Sequence, residues 1–81
     1  MMELKTTSQC VATAKELLVS ARSIKSQWEH AAWWDQKVEL FWIIQDALES
    51  GRFTGEAYDE LWQAKHTLNE AESVAGRYAN D

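Results

Sequence analysis

Two sets of mostly apolar residues recur at spacings of 4, 3, 4, 3, 4 and 3, and that rhythm restricts the chain to helices packed along their lengths. The first is Cys10, Ala14, Leu17, Ala21, Ile24, Trp28 and Ala31; the second is Ala57, Leu61, Ala64, Leu68, Ala71, Ala75 and Tyr78. A repeat averaging about 3.5 residues holds one stripe of a helix against a neighbour. A strand would need a period of two, and the β-branched residues never alternate with polar ones for a strand's length. The chain has no proline, and its three glycines stand at 51, 55 and 76, so residues 1–50 contain no strong helix breaker. The fold class is all-α.

Capping chemistry divides the chain. Thr6 followed by Gln9 forms a capping box that starts a first helix near residue 7, and Ser26 followed by Glu29 starts a second near Gln27, with Asp35 as a later cap the alternative. Gly51 sits at the left-handed position that closes a helix, and Thr54 is the natural cap of a third. Phe53 and Tyr58 are spaced as a hydrophobic staple around that cap. So short a connection makes the flanking helices antiparallel neighbours. Residues 1–81 are therefore read as a single domain, a three-helix up-down-up bundle with helices at about 7–25, 27–50 and 55–76. Residues 1–5 are expected to be frayed, and 77–81 a loose tail. The first break lies within 23–34. The alternative is a long-helix hairpin in which residues 8–50 form one helix, roughly 65 Å at 1.5 Å per residue, stable only as a dimer.

Residues 28–48 hold four of the five tryptophans. On a helix at about 100° per residue, Ala31, Trp34, Val38, Phe41, Trp42, Ile44 and Leu48 form one broad arc, which continues the seam of the first helix one position out of phase. Trp33, Leu40, Ile43 and Ala47 form a second arc. One stripe normally suffices for a helix on the surface of a small domain. The second arc is therefore expected to be surplus, a face for a partner or for a second copy. Tyr58, Trp62 and Lys65 flank the seam of the third helix and are placed to lie over these tryptophans.

Charge narrows the choice of partner. The net charge is −5, with five Lys/Arg against four Asp/Glu in residues 1–37 and three against nine in 38–81. A field of that sign disfavours nucleic acid and anionic membrane and favours a basic protein surface. Glu56, Asp59 and Glu60 lead an acidic strip on the third helix, suited to steering such a partner. The same residues offset the helix dipole.

Chemistry-bearing patterns are missing. No phosphate loop, Cys-x-x-Cys pair, His-Glu-x-x-His helix or nucleophile elbow occurs. His66 and Glu70 are spaced to share a metal, yet no third ligand stands near them. The single Cys10 lies on a core seam, and an unpaired thiol there fits a reducing compartment. No apolar run approaches the length of a bilayer span, and the first residues do not resemble a signal peptide.

The expectation is a cytoplasmic, non-enzymatic interaction module without cofactor or metal. It would be a small regulator or inhibitor of the antitoxin, immunity or phage-inhibitor type. Trp33, Leu40, Ile43 and Ala47, with Glu56, Asp59 and Glu60, would bind a basic protein partner. The alternative is a structural homodimer or assembly scaffold using the Trp33/Leu40/Ile43/Ala47 face for self-association.

Overall fold

The computed structural model describes residues 6–79, with side chains described through residue 76. Three helices follow one another: α1 (Thr7–Arg22), α2 (Gln27–Ser50) and α3 (Glu56–Ala79). The expected frayed segment 1–5 lies outside the described residues, as do residues 80–81 and the side chain of Tyr78.

Each boundary has a local cause. Thr6 accepts from the Gln9 backbone N–H at 3.2 Å and its own N–H donates to the Gln9 side chain at 3.2 Å, a complete capping box. α1 stops at Arg22, where the Ser23 N–H turns back to the Ser20 carbonyl. Ser26 then caps α2 by accepting from the Glu29 N–H at 3.1 Å, while the Glu29 carboxylate takes the N–H of Lys25. This turn excludes the 65 Å helix, and the longest dimension of the molecule is 40 Å. Gly51 ends α2 at φ 70°, in the left-handed region that favours glycine. Gly55, at φ 62°, precedes α3. That helix begins at Glu56, one residue later than a Thr54 cap would give. It also runs through Gly76 to Ala79 instead of ending there, because Gly76 does not take the positive φ that would close it.

The topology is up-down-up. Ser8 and Thr7 at the start of α1 donate to Glu60 near the start of α3, at 2.7 and 3.4 Å, so α1 and α3 run parallel. α2 returns between their ends, pairing Lys65 with Gln45 and Glu72 with Lys37 along its antiparallel course beside α3. α1 and α3 share the most extensive packing. Their facing seams explain it: Cys10, Ala14, Leu17 and Ala21 meet Leu61, Ala64, Leu68, Ala71 and Ala75, all buried. Alanines at alternate positions bring the helix axes close.

The seam expected to continue from α1 as Trp28 and Ala31 does not. The turn at 23–25 resets the register, leaving Trp28 84% exposed and Ala31 exposed. α2 instead buries Trp33, Lys37, Leu40 and Ile44. Trp33 donates its indole N–H to the Leu17 carbonyl at 2.8 Å in the interior, which fixes α2 against the middle of α1.

Two substitutions test this packing by urea unfolding. Trp33→Phe keeps the ring but loses the buried hydrogen bond and part of the volume, and is expected to cost about 1–3 kcal/mol. Ala71→Leu, inserted where α1 and α3 approach closely, should cost about 1–3 kcal/mol through overpacking. An unchanged midpoint for Ala71→Leu would mean that the two axes are not held close.

Candidate interaction surface

The core face of α2 cuts across the two arcs expected from the sequence: Ile44 of the first is buried as expected, together with Trp33 and Leu40 of the second. Trp33 is 4% exposed and Leu40 0%, so both belong to the monomer core. Ile43 and Ala47 are half-buried. They line a cavity of about 310 Å³ near the start of α1, together with Thr6, Cys10, Asp46 and Phe53. The expected partner face of Trp33, Leu40, Ile43 and Ala47 is thus mainly structural. Sequence reasoning misplaced the core face because Lys37 interrupts it. Its seam of Trp33, Lys37, Leu40, Ile44 and Ala47 is regular only if a lysine is accepted as a buried residue.

Lys37 is accepted because its long stem packs while its head reaches outward. Nζ lies 3.2 Å from a Glu72 carboxylate oxygen, 4.4 Å from the centre of the Trp34 ring and 5.6 Å from that of Phe41. Glu72 keeps 43% of its side-chain surface, so the ion pair sits at the boundary between interior and solvent.

What faces outward on α2 is part of the arc expected to be its core, all but the buried Ile44. Trp42 is 57% exposed and Trp34 38%, with Val38, Phe41 and Leu48 half-buried beside them. Tyr58 and Trp62 on α3 are exposed to a similar degree. Contacts along the surface hold these rings. His30 stacks on Trp34 at 5.9 Å between centroids, and Phe41 meets Trp42 edge-on at 5.5 Å. Tyr58 meets Trp62 edge-on at 6.3 Å, and Lys65 Nζ lies 4.8 Å over Trp62 while donating to Gln45 of α2 at 3.3 Å. The expected cover of the α2 tryptophans by Tyr58, Trp62 and Lys65 is therefore a neighbouring wall joined through Lys65. His30 Nε2 is buried without a hydrogen-bond partner.

The acidic residues divide by use. Glu60 is engaged internally at the start of α1, where a carboxylate also favours the exposed amides of the first turn. Glu56 and Asp59 are exposed in the first turn of α3. Asp35 and Glu49 are exposed on α2 beside the aromatic arc, and Asp46 is exposed on the side toward the start of α1. Among the described residues no group of three or more His, Cys, Asp or Glu is placed to hold a metal. Burial pushes the Cys10 thiol above its ordinary value of 9.0, which favours the neutral, unreactive form.

No protein-family model matches this chain, and no curated protein or solved structure matches it either.

Lys37 distinguishes stem packing from charge pairing. Lys37→Met should stay within about 1 kcal/mol of the parent, because Glu72 returns to water and the volume is kept. Lys37→Ala should cost about 2 kcal/mol by emptying the seam. Equal losses in urea unfolding would assign the stability to the ion pair. Cys10 gives a pH test. Below pH 9.0 the thiol stays protonated in both states; above it the unfolded chain releases a proton that the folded chain retains. Stability should therefore fall as pH rises past that point, and a Cys10→Ala variant should lose less stability over the same interval.

Proposed function

We propose that this protein acts by contact with another protein, as a small non-enzymatic regulator or inhibitor that occludes a basic surface. The observation that carries the reading is the outer face of α2, where Trp34, Phe41 and Trp42 are held in place and partly open to solvent. Large aromatic anchors supply most of the energy of protein interfaces, and exposed aromatic groupings are uncommon on small monomers. Rings already fixed by their neighbours lose little side-chain entropy when covered.

Charge selects the occupant. Asp35 and Glu49 rim the face, and Glu56 and Asp59 extend the same sign along α3. Lys37 is paired with Glu72, while Lys65, hydrogen-bonded to the neutral Gln45, keeps its charge over Trp62. A Lys/Arg-rich partner gains from this arrangement in association rate and orientation. A second copy of the chain would bring acidic rim to acidic rim, which weighs against the homodimer reading of the same surface. No helix among the described residues is long and apolar enough to cross a membrane.

Trp42→Glu tests the reading. It should leave stability within about 0.5 kcal/mol of the parent, as expected for an exposed site. It should also weaken association with a partner isolated from the source cells by more than tenfold, about 1.4 kcal/mol. The wild-type association rate should fall with added salt, and Asp35→Lys should slow it. The protein alone should scatter light as a monomer from low to high micromolar concentration. A constant dimer that Trp42→Glu converts to monomer would replace this reading with the homodimer.

A further inference from the structure

The surface has a shape as well as a composition. α2 carries two seams one residue out of phase. Trp33, Lys37, Leu40, Ile44 and Ala47 face the core, and Trp34, Val38, Phe41, Gln45 and Leu48 follow the same 4, 3, 4, 3 spacing beside them. α3 repeats the device: next to its buried alanine seam, Tyr58, Trp62, Lys65, Asn69 and Glu72 are spaced 4, 3, 4 and 3. The two outer seams meet through the Gln45–Lys65 and Lys37–Glu72 contacts. A pair of antiparallel helices has a furrow on each side. α1 packs against one, and the outer seams, bridged by Lys65–Gln45 and Lys37–Glu72, border the other.

Resting on the contact reading above, we propose that the α2/α3 furrow receives a single amphipathic α-helix of the partner, completing a four-helix bundle. A 3.5-residue repeat is the pattern that accepts the knobs of another helix, and helix-in-groove binding reads its ligand through anchors at i, i+3, i+4 and i+7. An extended segment would find no sheet edge here, since the described residues are helical or in turns. From Trp34 to Leu48 the seam is about 21 Å long at 1.5 Å per residue, enough for four turns. Acidic residues are exposed on the outer surfaces of both helices, Asp35 and Glu49 on α2 and Asp59 and Glu70 on α3. The guest helix therefore carries an apolar a/d stripe with Lys or Arg at the flanking e and g positions. The exposed Val19 on α1 lies outside the furrow.

The probe is a displayed library of 18-residue helices with apolar a and d positions and Lys or Arg at e and g, selected against the full chain. A control library places the same residues in strict alternation. The expected result is enrichment from the heptad library alone. Selected peptides should bind 1:1 with a gain of helical circular dichroism. Their affinity should fall at least tenfold in Val38→Glu and in Phe41→Ala, each checked for a native spectrum, and be unchanged in Val19→Glu. No enrichment, equal enrichment from the alternating control, or indifference to both furrow variants overturns the helix. If those failures accompany a natural partner that still depends on Trp42, only the helical guest falls. If no association depends on Trp42 either, the contact reading falls with it.

Discussion

The hydrogen bond from the Trp33 indole to the Leu17 carbonyl decides which way α2 faces. A buried indole N–H left unpaired would cost about 1–3 kcal/mol, and few acceptors exist inside an all-helical core because the backbone carbonyls are already engaged along each helix. Leu17 supplies one that also serves its own helix. Once Trp33 points there, the rotation of α2 follows: Leu40 and Ile44 come inward with it and Trp34 and Trp42 point away. The α1/α3 pair, drawn together by its alanines, forms the platform on which that choice is made.

Lys37 completes the arrangement and sets its limit. Its stem continues the buried seam, while its ammonium reaches Glu72 and the faces of Trp34 and Phe41. One side chain thus belongs to the core and to the outer surface at once. Its ammonium lies against two aromatic rings of the outer surface. With only three helices, the side of the α2/α3 pair away from α1 is bridged by Lys65–Gln45 and Lys37–Glu72 and bordered by the outer aromatic rings.

The helices and their caps were legible in the sequence because each rests on a local signal: the Thr6/Gln9 box, Ser26 with Glu29, Gly51, and the alanine seam of α3. The rotation of α2 was not, because it depends on contacts distant in the sequence. Counting apolar residues favours the arc containing Trp34, Val38 and Phe41, and treats Lys37 as a solvent residue. The deciding contacts are a hydrogen bond to residue 17 and the packing of the Lys37 stem, neither visible as a spacing. Likewise, Glu60 read as part of an acidic strip until Ser8 and Thr7 of α1 were seen beside it. The surplus of aromatic surface on α2 was evident from composition; which arc held it required the tertiary fold.

The orientation of α2 is tested most directly by hydrogen exchange at the five tryptophan indoles, resolved by nitrogen-15 NMR on dilute protein. The account predicts that the Trp33 indole proton alone is strongly protected, exchanging through opening of the bundle, while those of Trp28, Trp34, Trp42 and Trp62 exchange rapidly. Rapid exchange at Trp33, or protection of Trp34 and Trp42 comparable to it, would contradict the account. It would place the other arc of α2 against the core and close the face on which the proposed contacts depend.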